Sequence, residues 1–216
     1  MFAHPTVSRP TAPRQTASRP AAPARLLFAL ALGALAAGVL TAGAALAKPT
    51  PYLLDAAASV VGFETDFGAE KIRGQFPILS ADIAIDFTDM TRTTVAVALN
   101  AAGAQASFPF AAEAMKGPKN LNTAEFPTII FTSSRVTSKG DTAAVEGAIT
   151  IRGVTRPLTM QAQLYQVAGE AKGDYTHLTI ALSSAVNRSD FGATGWSDMV
   201  GDQVRIHILA RIDRAP

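Results

Sequence analysis

Few side chains in this sequence are of the kinds that do chemistry, and their spacing decides what they can do. Beyond residue 50 the only histidines are His177 and His207, and neither sits at an i, i+4 or H-x-H spacing from another ligand type, so metal ligation is not expected. There is no cysteine anywhere, which excludes thiol catalysis and disulfides. Ser184, His177 and Asp190 can be assembled on paper into a hydrolase triad. No Gly-x-Ser-x-Gly elbow accompanies them and their spacing specifies no geometry. Gly68, Gly74, Gly147 and Gly153 stand singly, with no phosphate-binding fingerprint. The acidic residues alternate with apolar ones, as on a solvated strand face, and define no catalytic pair. No enzymatic activity and no cofactor are expected. The polar residue of most interest is Arg188, in Asn187-Arg188-Ser189-Asp190-Phe191-Gly192. If the alternation of Leu178, Ile180 and Leu182 runs on unbroken, Arg188 and Asp190 point inward, where Arg188 meets an anionic headgroup or pairs with Asp190 to close a rim.

The elements that must position these residues are strands. From Ala144 to Tyr165 two arms alternate, with Val145, Ile149 and Ile151 on one and Leu158, Met160, Ala162 and Leu164 on the other. Gly153 to Pro157 lies between them and predicts the turn of a β-hairpin. Val61, Phe63, Thr65 and Phe67 predict an earlier strand. Ile83, Ile85 and Phe87 pair with Val95, Val97 and Leu99 in a second hairpin, and arms at Leu178 to Leu182 and Val204 to Ile212 close the chain. The alternation fails only from Ala101 to Asn122, where Ser107 as cap, Pro109 in the first turn and Gly117-Pro118 as stop predict a short helix. About eight strands with one wet face each mean an antiparallel sandwich or a closed barrel. A small barrel either fills itself with side chains or encloses one ligand.

The chain of 216 residues is one domain plus an N-terminal extension. Residues 1–25 carry Arg9, Arg14, Arg19 and Arg25 and no acid, and the uncharged run from Leu26 to Ala47 ends in Ala45-Leu46-Ala47. This predicts a secretory signal, residues 1–47, cleaved after Ala47. The alternative is a retained anchor, which the 22-residue run is long enough to form, although Ala and Gly dominate it. Without the four leader arginines, the formal net charge of +2 becomes −2, from 15 basic and 17 acidic residues. No basic run survives in 48–216, and no nucleic-acid partner is expected.

The pieces from Tyr52 to Ile212 together resemble the YceI family of exported, lipocalin-like lipid-binding proteins. They include Ser59-Val-Val-Gly-Phe63, Gly74-Gln-Phe76, Leu121-Asn-Thr-Ala-Glu-Phe-Pro127, Ile151-Arg-Gly-Val-Thr-Arg-Pro157 and Asn187 to Gly192. The resemblance implies an all-β fold, an extended eight-stranded antiparallel lipocalin-like barrel with one or two short helices, and a long apolar cavity for a polyisoprenoid or similar amphiphile. The chain departs from the family at Ala58 and Phe67, where histidines are common, and at Asn120, where an aromatic is usual.

The site expected from both lines of reading is non-covalent. Phe63, Phe67, Phe76, Phe87 and Phe131 face inward; Phe110, Met115, Leu121 and Phe126 lie near a mouth; Arg188 meets the headgroup; Trp196 lines the entrance or seals the barrel. The expected partner is a long-chain isoprenoid, quinone-like or other amphiphilic lipid in the periplasm, with transient membrane contact and a homodimer left open. Two rivals are an integral outer-membrane barrel, against which Asp82, Asp86, Thr150, Arg152, Gln161, Gln163, Arg205 and Arg211 on outward positions argue, and a stress-linked interaction module whose barrel is filled by its own side chains.

Overall fold

The alternation is realised as one antiparallel sheet that closes on itself. The computed structural model describes residues 48–166, 171 and 173–216; the expected signal segment lies outside them. Among the described residues there are eleven strands: β1 (Thr50–Leu54), β2 (Val60–Phe67), β3 (Glu70–Gln75), β4 (Ile78–Ile85), β5 (Thr94–Asn100), β6 (Gln105–Ala106), β7 (Thr128–Lys139), β8 (Thr142–Ile151), β9 (Val154–Gln166), β10 (His177–Asn187) and β11 (Val200–Arg214). They fill eight positions around a closed barrel, because three strands are interrupted. β1 and β2 lie end to end along β11, with Leu54 opposite Ile212 and Phe63 opposite Ile206. β4 and β3 line up along β1 and β2, and β5 and β6 along β4 and β3.

Each interruption has a local cause. Asp55 Oδ1 accepts the N–H groups of Ala57 and Ala58, which turns the backbone aside between β1 and β2. Pro77 has no N–H to give between β3 and β4. Asn100 Oδ1 accepts the Gly103 N–H where β5 gives way to β6. Every barrel ladder is supplied from within Thr50–Arg214, and the described residues form one compact unit.

Two turns differ from expectation. The β8–β9 turn is Arg152-Gly153 alone, with φ of 51° and 73°, and Pro157 sits inside β9 opposite Ala148. Two consecutive left-handed residues match the twist of the strands they join, which is why a two-residue turn suffices. Helix α1 (Pro109–Lys116) starts at the expected proline and stops at Gly117, but Ser107 does not cap it. The Ser107 hydroxyl accepts the Arg73 N–H instead.

Candidate functional site

Inward side chains leave a cavity of about 530 Å³ running through the barrel, within the range of small-molecule pockets. Its wall is apolar because the inward hydroxyls turn into the wall. Thr65 Oγ1 bonds the carbonyls of Gly201 and Gln203, Ser59 Oγ accepts the Arg211 N–H, and Thr93 Oγ1 accepts the Asp86 N–H. Among the described residues, Arg188 and Asp141 are the only charged ones on the lining.

Two of the inward rings lie against glycines, where no side chain competes for the space. Phe63 covers Gly74, where an added Cβ would come within 2.4 Å of the ring, and Phe131 covers Gly147 at 2.7 Å. A bulge in β7 between Ser133 and Arg135 adds the local bend.

The two ends differ. At one, Phe87 stacks on Tyr175 at 3.9 Å and 6°, Tyr52 packs edge-on to Phe87, and the Tyr52 hydroxyl donates to the Tyr175 carbonyl at 2.7 Å. Buried Asp86 orders the chain that leads into the 3-10 turn Met90–Arg92, which Asp89 caps: its Oδ1 accepts from the Thr88 hydroxyl and from the Thr88 and Asp89 N–H groups, which hold its pKa below the ordinary value, with Arg92 3.3 Å from Oδ2. At the other end lie α1, Leu121, Trp196 and Met199, with Phe110 and Trp196 more than half exposed.

Ten of the eleven expected site residues line the cavity: Phe63, Phe67, Phe76, Phe87, Phe110, Met115, Leu121, Phe131, Arg188 and Trp196. Phe126 does not. Its ring lies against Gly153 on the outside of the β8–β9 turn, 2.7 Å from where a Cβ would be. Arg188 reaches the lumen rim, yet its guanidinium donates to four backbone carbonyls, of Gly201, Ala193, Gly195 and Val200, at 2.7–3.0 Å. A longer contact joins it to Asn120 Oδ1. It braces the loop from Ala193 to Gly201 and does not pair with Asp190. Asp190 points to solvent because β10 ends at Asn187, and the 3-10 turn Arg188–Phe191 then rotates Phe191 into the core instead.

Other expected placements are corrected too. Asp86 is buried, and Arg152 is half-buried, donating to the carbonyls of Gly192 and Pro118. His177 bonds Asp213 at 2.6 Å at the start of β10, while Ser184 donates to the Thr159 carbonyl seven residues further on. That spacing, about 23 Å along a strand, does not assemble a triad. Tyr175 and Phe191 are lining residues that sequence reasoning missed. Phe191 carried a signal, since it is the apolar residue three positions after Arg188 in a segment already singled out.

A closed antiparallel barrel with an apolar lumen and an outer wall on which charged and polar residues are interspersed with apolar ones defines a lipocalin-like class of protein. A family model described as a YceI-like domain matches residues 52–212, and the chain belongs to that family. Curated relatives include a UPF0312 protein of Shewanella sp. (strain W3-18-1), 28% identical over 133 residues, which are 60% of this chain and 70% of the relative. A UPF0312 protein of Pseudomonas paraeruginosa is 26% identical over 58% of this chain and 65% of its own. Among solved structures, BcnA of Burkholderia cenocepacia superposes with a TM-score of 0.67 at 20% identity, covering 74% of this chain and 99% of its own. A polyisoprenoid binding domain from Saccharophagus degradans gives 0.57 at 12% identity, covering 77% and 99%. At such identities the likeness is one of fold.

Proposed function

We propose that the protein binds a long-chain amphiphile, an isoprenoid or quinone-like lipid, inside the barrel and carries or stores it in the periplasm after export. The observation that carries this reading is the lumen itself: a continuous, predominantly apolar cavity in which the hydroxyls of Thr65, Ser59 and Thr93 are turned into the wall. Burying ~500 Å² of lipid at about 25 cal/mol/Å² gives roughly 12 kcal/mol gross, from which association and ordering costs are subtracted. The fold shared with a domain named for polyisoprenoid binding supports the ligand class.

An integral membrane barrel is disfavoured by exposed Asp82, Gln161 and Arg211 on the outer wall, where such a barrel carries an apolar band. Native mass spectrometry of residues 48–216 purified from their own periplasm, followed by organic extraction, tests the proposal. A stoichiometric adduct of lipid mass is expected. An empty barrel that also takes up no prenyl lipid offered to it would overturn the proposal and favour an interaction module.

A further inference from the structure

Three side chains of the lumen lining also face water: Phe110 is 63% exposed, Trp196 57% and Met199 44%. They are linked across one end of the barrel. Phe110 stacks on Phe108 at 5.7 Å, and Phe108 leans on Phe67 at 6.5 Å. Phe67 pairs with Val200 in the ladder, the Gly68 N–H donates to the Met199 carbonyl, and the Met199 N–H turns back to the Trp196 carbonyl. Trp196 itself is held at φ 61°, a left-handed conformation that a tryptophan adopts only when its surroundings impose it. Arg188 supplies that constraint, since it grips the carbonyls of Gly195 and Val200 on either side of the turn. A strained turn thus holds an indole out into solvent beside the opening of an apolar cavity.

The occupant that fits is a bilayer surface. A second copy is a poor fit, because three side chains of no more than about 250 Å² each, exposed by 63%, 57% and 44%, offer roughly 400 Å² per copy, about half of the roughly 800 Å² that each partner brings to a standard protein interface. Tryptophan, phenylalanine and methionine around an opening suit the headgroup region, where an amphipathic ring is satisfied on both sides. The neighbouring charges are of both signs, Glu113 and Asp198 with Lys116 and Lys119, so the rim has no reason to need an anionic membrane. We propose that this rim docks reversibly on phospholipid bilayers, neutral ones included, by seating Phe110, Trp196 and Met199 among the headgroups, so that the lumen opens directly onto lipid. The docking rests on the lumen reading only for its purpose.

Trp196 is the only tryptophan in the chain, so its fluorescence reports on the rim alone. Residues 48–216 are mixed with phosphatidylcholine vesicles that contain no prenyl lipid. The expected result is a shift of emission to shorter wavelength, quenching by lipids brominated near the headgroup, and flotation with the vesicles that persists in high salt. The double variant Phe110→Ser, Met199→Ser should keep its circular dichroism and lose roughly tenfold or more in partitioning. No shift and no flotation at any lipid concentration would overturn the proposal. So would binding only to anionic vesicles that salt abolishes, or a shift that follows protein concentration without vesicles, which would assign the rim to a second copy. Because these vesicles lack prenyl lipid, failure here leaves the lumen reading standing, and an empty lumen in mass spectrometry leaves docking standing.

Discussion

The two ends of the barrel are built from the same residue types and put to opposite use. At the Phe87–Tyr175 end the aromatic rings satisfy one another: they stack, pack edge-on and share a hydrogen bond through the Tyr52 hydroxyl. Beneath them Leu178 and Ile212, paired in register and almost fully buried, form a small core with Tyr52, Ile83 and Ile85. At the α1 end, Phe110 and Trp196 reach past the wall, and what holds them is backbone: one guanidinium gripping loop carbonyls and one short helix. Stability is concentrated where side chains meet side chains, and access where a loop is braced from behind. The same aromatic content yields a plug or a mouth depending on whether the rings close over one another or, like Phe110 and Trp196, stay largely exposed.

The largest test of this contrast is a pair of substitutions. Leu178→Ala removes a buried side chain from the plugged end and should cost about 3–5 kcal/mol, whereas Phe110→Ser at the mouth should change stability by less than about 0.5 kcal/mol. Urea denaturation of both variants checks it, and a large loss for Phe110→Ser would mean that the mouth is core. Arg188→Ala comes next. Leaving four carbonyls without their charged donor should cost about 3 kcal/mol, because hydrogen bonds to charged groups are worth about 1.5–3 kcal/mol each and solvent recovers part of the loss. Binding of a phosphate-headed and of a neutral quinone-like lipid should weaken to the same degree. A loss confined to the phosphate-headed lipid would make Arg188 a headgroup contact. Tyr52→Phe is smaller: it deletes one hydrogen bond in the plug and should cost about 1 kcal/mol in thermal unfolding while leaving the Phe87–Tyr175 stack in place.

How far the sequence foretold this arrangement follows from its periodicity. Inward residues such as Phe63, Phe87 and Phe131 were legible because a strand has period 2 and the barrel keeps the apolar parity inside. Parity failed where strands stop: Asp86 ends up buried, bonded to Thr88 and Asp89 just ahead of one 3-10 turn, and Asp190 lies within another and stays at the surface. The partners of Arg188 were illegible because backbone carbonyls leave no mark on residue type. Tyr175 was missed because Gly173-Asp174-Tyr175-Thr176 does not alternate, although its ring completes the plug. Phe126 was expected near the mouth, but its ring went to the Gly153 turn, a choice set by tertiary contact.

The smallest expected effect concerns how the mouth is fastened to the wall. Glu64 on β2 accepts from Lys71 and Arg73 on β3 and from Arg205 on β11, which also reaches Asp66, so one carboxylate ties the three strands that carry Phe67 and Val200 to the rim. Those donors, Lys71 foremost and then Arg73, lower its pKa from 4.5 to about 2. A carboxyl whose pKa is lower folded than unfolded stabilises the fold above the unfolded value, and that contribution is lost as pH falls toward the folded value. The melting temperature should therefore decline between pH 4.5 and 2 in the wild type, and this part of the decline should be absent in Glu64→Gln. The shift should be modest, because the network lies on the outer wall and is screened by salt. If the loss is local to the three strands, hydrogen exchange at pH 3 should quicken in β2 and β3 before β10. Uniform quickening would mean that mouth and plug open together, and that the difference between the ends lies in access alone.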